Sequence, residues 1–151
     1  CLECDPGSSV QMRTSKQQRA LEQSERERAL ERVARNGFAL ANLAPEFKED
    51  REIVCVAVAR HSHALSHAGT DLKADRKVVL EAVSGSGDAL QYAAEMLKSD
   101  SEIVTCAVSQ NGWALNYASE EFRANRDVVL LAVSRDGRAL KYAASELKSD
   151  P

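Results

Sequence analysis

The chain has 151 residues, which is long enough for a domain with a buried core. Its 44% hydrophobic and 28% charged residues are ordinary for a globular protein, and its scarcity of glycine, proline and aromatic residues favours helices over sheets. With 23 acidic against 20 basic side chains, the composition gives no electrostatic reason to expect nucleic acid or an anionic membrane as a partner. No apolar run approaches the roughly 18 residues that cross a bilayer, so we expect no membrane insertion.

The first 25 residues divide into two segments of different character. Residues 1–14 contain the turn-forming stretch DPGSS and are predicted to be a flexible segment. Residues 15–25 carry Arg, Glu and Gln at helical spacing and are predicted to form a charged helix that caps the following domain at its N-terminal end. Cys1 and Cys4 have no second cysteine pair to complete a zinc site, so no bound metal is predicted there.

From residue 26 the sequence repeats with a period of 25 residues. The repeats are residues 26–50, 51–75, 76–100, 101–125 and 126–150, called blocks 1 to 5 below. Every block has valine at its eighth position, an alanine–leucine pair at its fourteenth and fifteenth, and Asp or Asn at its twenty-fifth. The twelfth residue is glycine except in block 2, where it is Ser62. We expect the array to continue beyond residue 151 in a longer protein.

The residue types within a block predict helices. Asp or Asn at the end of one block is a good N-cap for the next, so a first helix is predicted over roughly ten residues. Asn111-Gly112 and its equivalents are predicted to end that helix in a left-handed cap. A second helix follows, and Pro45 and Gly69 predict an interruption before a final turn. Such short helices need stacking, so the predicted fold class is an all-α solenoid, right- or left-handed, of five helix-turn-helix repeats of about 25 residues.

Two stretches carry a family resemblance: DREIVCVAVAR, beginning at Asp50, and SEIVTCAVSQNGWALNYASEEFRANRDVVLLAVSRDGRALKYAASELKSD, over blocks 4 and 5. They resemble the DUF4116 repeats, and the resemblance covers about residues 26–150. Block 1 departs from the motif at Arg28-Ala29 and at Asn42. The resemblance implies tandem α-helical repeats in intracellular proteins, often joined to other domains. It implies no catalytic residues.

All three histidines lie in HSHALSH of block 2, as His61, His63 and His67. His63 and His67 are four residues apart and would share one face of a helix, which is the spacing of a pair of zinc ligands. However, the equivalents of His61 suit a helix cap, and those of His67 are mostly tyrosine. No further side chain has an evident reason to complete the shell, so neither a metal nor another cofactor is predicted.

The thirteenth, sixteenth and twentieth positions of the blocks vary most, and their spacing places them on one face of the second helix. A variable stripe on a uniform scaffold is where a repeat protein can carry its recognition surface. The candidate protein-binding face consists of Phe38, Pro45, His63, Asp88, Gln91, Trp113, Asn116, Arg138 and Lys141. Phe38 and Trp113 are the candidate anchors. The alternative is that both rings pack against the next block, and the sequence favours neither interpretation.

No phosphate-binding loop, nucleophile elbow or HExxH motif occurs, so the chain is not predicted to be an enzyme. The predicted function is a non-catalytic helical-repeat scaffold for protein–protein interaction, as an accessory subunit of a larger assembly. Its partners would be proteins, including subunits of a membrane-bound complex. The alternative is a single-stranded RNA-binding repeat protein, which the acidic composition disfavours. The predicted location is intracellular, in the cytosol or inside an organelle, and is compatible with a targeting peptide that the given sequence lacks.

Overall fold

The computed structural model describes the backbone of residues 6–149 and the side chains of residues 15–149. Over this range it consists of helices joined by short connections, and it contains no strand. None of the described helices combines the length and the apolarity that crossing a bilayer requires. Cys1 and Cys4 lie outside the described residues, so the prediction about them stays a prediction.

Each block begins with an α-helix, called its leading helix below. That of block 1 is the end of a 30-residue helix, Pro6–Arg35, and those of the later blocks are Arg51–Arg60, Arg76–Gly85, Ser101–Gln110 and Arg126–Arg135. The side chains of Asp50, Asp75, Asp100 and Asn125 each accept hydrogen bonds from the second and third backbone N–H groups of the helix that follows. The predicted N-caps at the twenty-fifth position are therefore confirmed.

The rest of each block contains two short helical segments, where a second helix and a final turn were predicted. A six-residue 3-10 helix comes first, as Gly37–Asn42, Ser62–His67, Gly87–Tyr92, Gly112–Tyr117 and Gly137–Tyr142. A closing turn follows, as Pro45–Lys48, Thr70–Lys73, Glu95–Ser99, Glu120–Arg123 and Ser145–Lys148. The predicted interruption is thus confirmed, and it occurs in every block rather than only beside Pro45 and Gly69.

Backbone hydrogen bonds between neighbouring blocks explain why the interruption is general. The N–H groups of Gly69, Ala94, Ser119 and Ala144 donate to the carbonyl oxygens of Lys48, Lys73, Lys98 and Arg123, over 2.8–3.0 Å. Each donor immediately precedes a closing turn and has ψ near 150–160°, and each acceptor is the last or next-to-last residue of the preceding block's closing turn. A continuous helix would use those N–H groups for its own hydrogen bonds. Because the helix is interrupted, they are free to bond to the neighbouring block.

The core includes the invariant valine and leucine of blocks 1 to 4. Val33, Val58, Val83 and Val108 are at most 1% exposed, and Leu40, Leu65, Leu90 and Leu115 are fully buried. Leading helices contact the leading helices of neighbouring blocks, and 3-10 helices contact neighbouring 3-10 helices. Each block therefore buries its apolar side chains mainly against the blocks beside it.

The prediction of left-handed caps was wrong. Asn111 has extended backbone, with φ −146°, and no described residue has positive φ, so the left-handed caps do not occur. Asn111 instead caps the 3-10 helix, because its side chain accepts a hydrogen bond from Trp113 N. Of the segment predicted to be flexible, residues 1–14, the first five lie outside the described residues, and the helix begins at Pro6, a residue type that suits the first turn because it lacks an N–H to satisfy. The charged helix predicted over 15–25 is part of that longer helix.

Glycine at the twelfth position is explained by close approach of the next block rather than by backbone torsion. A Cβ on Gly37, Gly87 or Gly112 would lie closer than 3.0 Å to a carbonyl oxygen at the seventh position of the next leading helix. For Gly87 that oxygen belongs to Ala107. The missing side chain therefore sets how closely one block can approach the next.

Candidate interaction face

The 3-10 geometry decides which of the variable residues share a face. With three residues per turn, the thirteenth and sixteenth positions of a block lie one above the other, pointing away from the buried leucine at the fifteenth. Asp88 and Gln91 are such a pair, and both are half-buried. Pro45 lies beyond the interruption, as the first residue of its closing turn, and is exposed. The prediction that one helix carries all three positions was therefore wrong, although the two within each 3-10 helix do share a face.

Trp113 lies at the centre of a cluster of side-chain contacts on this face. Its Nε1 donates to Asp136 Oδ2 at 2.6 Å, and its ring meets that of Tyr142 edge to face, with centroids 5.6 Å apart. Lys141 Nζ lies 4.4 Å and the Arg138 guanidinium carbon 5.2 Å from the centroid of the indole ring, distances at which a cation is attracted to the face of a ring. Trp113 remains half-buried, and both cations are exposed.

Arg138 also fixes the carboxylate beneath this cluster. Its Nε and Nη2 donate to the two oxygens of Asp136, at 3.1 and 2.9 Å. These hydrogen bonds, together with that from Trp113, hold the pKa of Asp136 far below its usual range. The carboxylate therefore stays ionised and keeps the indole in place.

In blocks 1, 3 and 4 the residue at the thirteenth position contacts the eleventh residue of the next block, and the two are chemically matched. Phe38 stacks on His61 with ring centroids 4.7 Å apart, and Asp88 Oδ1 accepts from Asn111 Nδ2 at 2.9 Å. The pair of Trp113 with Asp136 follows the same rule. Much of the variation at the thirteenth position therefore serves contacts between blocks, which supports the alternative that the rings of Phe38 and Trp113 pack on the next block. Comparing this position with the eleventh of the following block would have revealed the pairing from sequence.

Exposure differs among the predicted face residues. Phe38 is 44% exposed despite its contact with His61. Asn116 is exposed, and His63 is half-buried, with its ring 6.0 Å from that of Tyr92. The structure thus leaves two aromatic residues partly accessible on the face, Phe38 in block 1 and Trp113 in block 4.

The tyrosines at the seventeenth position, Tyr92, Tyr117 and Tyr142, are all half-buried. Tyr92 and Tyr142 receive the thirteenth residue of the preceding block against their rings. Burial, reinforced by the nearby charge of Asp88, raises the pKa of Tyr117. The tyrosines thus lie beneath the variable side chains of the face.

The histidines have separate contacts. His61 Nδ1 accepts a hydrogen bond from Gly37 N at 3.1 Å, and His63 packs on Tyr92. Within residues 15–149, no group of three or more His, Cys, Asp or Glu side chains is arranged to hold a metal ion. Cys55 and Cys106 are free and half-buried, and burial raises the pKa of both thiols.

A row of ion pairs on the leading helices was missed by the sequence analysis. The first residue of a block, Arg26, Arg51 or Arg76, donates to the capping aspartate at the end of the same block, at 2.7–2.9 Å. Arg76 also contacts Glu102. In block 4 both partners change, to Ser101 and Asn125. This simultaneous change at two positions 24 residues apart is the feature of the sequence from which the ion pairs could have been predicted.

The family models match the chain in three tandem segments, residues 25–73, 75–123 and 125–151, with the description "Domain of unknown function (DUF4116)". The chain belongs to the DUF4116 family. The first two segments of this DUF4116 protein each span two 25-residue blocks, which agrees with the tandem arrangement of its helices. Comparison with curated proteins and with solved structures gives no match.

Proposed function

We propose that this DUF4116 chain is a non-catalytic scaffold that binds protein partners through the outer face of its 3-10 helices. The observation that carries the proposal is the Trp113 cluster, in which a half-buried indole is held by the next block while Arg138 and Lys141 remain exposed beside it. A side chain that is ordered before binding loses little conformational entropy on binding. Trp and Arg are also the residue types most enriched in binding hot spots.

The proposed scaffold is an α-solenoid of five blocks. Its support is the recurrence of the same three helical segments and the contacts that run between neighbouring blocks. A solenoid presents an extended surface that grows with each block and suits a long partner segment. As an accessory subunit of an intracellular assembly, the chain would keep this face covered by a permanent partner.

The charges along the face indicate which side chains a partner segment should carry. Asp88 lies in the middle of the array, whereas Arg138 and Lys141 lie in block 5 and flank Trp113. A partner segment that places an acidic and an aromatic side chain against blocks 4 and 5 would satisfy both the cations and the indole. Complementary charges of this kind raise the association rate and fix the register of the partner.

The test compares two variants with the same charge change. The tagged native chain and its Lys141→Glu and Lys77→Glu variants are each expressed in cells that contain the native protein, and the proteins that co-purify with them are identified. Binding of each identified partner is then measured with purified components. Lys77 is exposed on the leading helix of block 3, outside the proposed face. We expect the purified partner to bind the native chain and the Lys77→Glu variant equally. It should bind the Lys141→Glu variant at least about tenfold more weakly, because a charge contact at the interface is replaced by repulsion.

Two results would overturn the proposal. Equal binding of the partner by both variants would show that the 3-10 face is not the interface. Capture that disappears on ribonuclease treatment would point to single-stranded RNA as the partner. Circular dichroism of each variant keeps a folding defect separate from a binding defect.

A further inference from the structure

Asp88, on the 3-10 helix of block 3, differs from the other partly buried carboxylates of the chain. Among the described residues five carboxylates are half-buried, and all of them belong to aspartate. Four form an ion pair with an arginine, namely Asp50, Asp75, Asp100 and Asp136. Within residues 15–149 Asp88 forms no ion pair, and its Oδ1 accepts a hydrogen bond from the uncharged Asn111 Nδ2 at 2.9 Å. This carboxylate is therefore partly removed from water without a cation to compensate for the lost hydration.

Asp88 lies in the interior of the array, with a block on either side. Its helix, Gly87–Tyr92, contacts the 3-10 helices of the two neighbouring blocks, Ser62–His67 and Gly112–Tyr117. The missing cation is therefore a feature of the face itself and not of an end of the array.

An aromatic ring of the next block lies beside this carboxylate. At the following interface the equivalent side chain, Trp113, lies against Tyr142 with ring centroids 5.6 Å apart. In block 4 the equivalent tyrosine is Tyr117. Burial raises the pKa of its hydroxyl, and the nearby charge of Asp88 raises it further. Because the face of an aromatic ring is electron-rich, a cation at this point would be attracted by the ring as well as by the carboxylate.

The interface between blocks 4 and 5 shows how a cation occupies such a position. Lys141 Nζ lies 4.4 Å from the centroid of the Trp113 ring and 4.6 Å from that of the Tyr142 ring. The residue of block 4 that is equivalent to Lys141 is Asn116, which is exposed and uncharged. The chain thus supplies its own cation at one interface, whereas at the other the described residues supply none to Asp88.

We propose that Asp88 and Tyr117 bind an arginine side chain of a protein partner. This inference rests on the proposed function, since it assigns one contact of a partner segment that lies on the 3-10 face. Arginine suits the position better than lysine, because its planar guanidinium group can donate two hydrogen bonds to a carboxylate and stack on an aromatic ring. Arg138 makes the same twofold contact with Asp136 inside the chain.

The stacking of the blocks also sets the spacing of charges in the partner segment. Neighbouring 3-10 helices are in contact, and helices that pack directly have axes about 8–10 Å apart. An extended chain advances about 3.3 Å per residue, so it passes one block about every three residues. The arginine bound at Asp88 and an acidic residue bound at Lys141, one interface further along, should therefore be three positions apart.

The probes are two short synthetic peptides, GSRGYEGS and GSEYGRGS, which carry arginine and glutamate three positions apart in the two chain directions. Each is compared with a peptide in which citrulline, an uncharged analogue of similar shape, replaces arginine. The full ¹⁵N-labelled chain is titrated to millimolar peptide concentrations, where weak binding still shifts its NMR signals. We expect at least one arginine peptide to shift the side-chain amide signal of Asn111 and the backbone amide signal of Tyr117. Its citrulline counterpart should bind at least about threefold more weakly.

Two variants with the same charge change locate the effect. Asp88→Asn removes the charge and keeps an oxygen that can accept from Asn111, whereas Glu81→Gln removes an exposed charge from the leading helix of the same block. We expect the preference for arginine over citrulline to disappear in Asp88→Asn and to persist in Glu81→Gln. Asp88→Asn should also unfold at the same urea concentration as the native chain or at a higher one, because it removes a partly buried charge that has no cation.

Four results would overturn the proposal. Both arginine peptides could leave the signals of Asn111 and Tyr117 unshifted. The citrulline peptides could bind as tightly as the arginine peptides. The preference for arginine could survive in Asp88→Asn. A lower urea midpoint for Asp88→Asn would assign the carboxylate to the stability of the fold instead of to binding.

Failure of this inference is distinguishable from failure of the proposed function, which the comparison of Lys141→Glu with Lys77→Glu tests separately. A purified partner that loses affinity for Lys141→Glu but binds Asp88→Asn as tightly as the native chain would contradict the arginine contact and leave the proposed function standing.

Discussion

Substituting Gly87 by alanine tests the central feature of the packing, which is the approach of one block to the glycine of the preceding one. A Cβ at Gly87 would overlap the carbonyl oxygen of Ala107 and lie 3.1 Å from Asn111 N. Both are backbone atoms, so no side-chain rotation can relieve the overlap, and the leading helix of block 4 must move. Gly137→Ala is the matched control, since it makes the same change at the same position of a 3-10 helix and meets nothing within 4 Å in the described structure.

The magnitude follows from two opposing effects. Replacing glycine by alanine restricts the unfolded chain and stabilises the folded state by about 0.4–1 kcal/mol where the backbone conformation is suitable. Neither residue has positive φ, so this gain applies to both variants. Overpacking a tight interface costs about 1–3 kcal/mol. We therefore expect Gly137→Ala to raise the free energy of unfolding and Gly87→Ala to lower it, with about 1–3 kcal/mol between them as the overlap energy alone.

The assay is urea unfolding followed by far-ultraviolet circular dichroism, with hydrogen exchange to locate the effect. Because neighbouring blocks stabilise one another, Gly87→Ala should weaken protection on both sides of the interface between blocks 3 and 4, and should broaden the transition. Equal free energies for the two alanine variants would refute the conclusion that close approach selects glycine here.

Three further predictions concern neighbouring features. Gly85→Ala should stabilise the chain by up to about 1 kcal/mol, because the atom that its Cβ would meet is the Ser62 hydroxyl, which can rotate away. A decrease in the free energy of unfolding in urea, like that expected for Gly87→Ala, would show that the Ser62 side chain is fixed. Leu115→Ala should cost about 2–5 kcal/mol and Leu140→Ala less than half as much, since only Leu140 is partly exposed; equal costs in urea would mean that Leu140 is covered in solution. Arg76 and the backbone N–H of Ile103 lower the pKa of Asp100 from its usual 3.8, so its contribution to stability is present above that value and is lost as the pH falls through the lower folded-state pKa. Asp100→Asn keeps a capping oxygen, as Asn125 does, and should make the free energy of unfolding decline less on acidification; an unchanged decline in urea titrations at several pH values would contradict this.

The periodic sequence predicted the helical blocks and their caps because these depend on residues close together in the chain. Asp at the twenty-fifth position caps the helix that begins one residue later, and the alanine–leucine pair recurs at core positions. The segment before the predicted interruption is a 3-10 helix, which the sequence did not distinguish from an α-helix, since its apolar residues, such as Leu115 and Ala118, recur at a spacing of three that both permit. Only the contact to the preceding block, Ser119 N to Lys98 O, shows why the segment breaks.

The candidate face was predictable in position but not in contacts. Spacing correctly grouped Asp88 with Gln91, whereas the partners of the variable side chains lie 23 residues away in the next block. Pairing at that distance depends on how the blocks stack, which a single block does not reveal. The glycine at the twelfth position was likewise attributed to a local cap, although the atom that requires it belongs to the next block.

The matched pairs change what variation along the face means. At the thirteenth position Asp88 pairs with Asn111, whereas Trp113 pairs with Asp136. Variation at this position therefore follows in part from the residue that it meets in the next block. Among the described residues, no hydrogen bond or ring contact joins the sixteenth position to a side chain of a neighbouring block, apart from that of Lys141, which lies over Trp113 of the preceding block. Its succession of Ala41, Ser66, Gln91, Asn116 and Lys141 is therefore the stronger reason to regard the outer face of the 3-10 helices as a recognition surface. Lys141, which belongs to both sets, is accordingly the residue whose substitution tests that surface most directly.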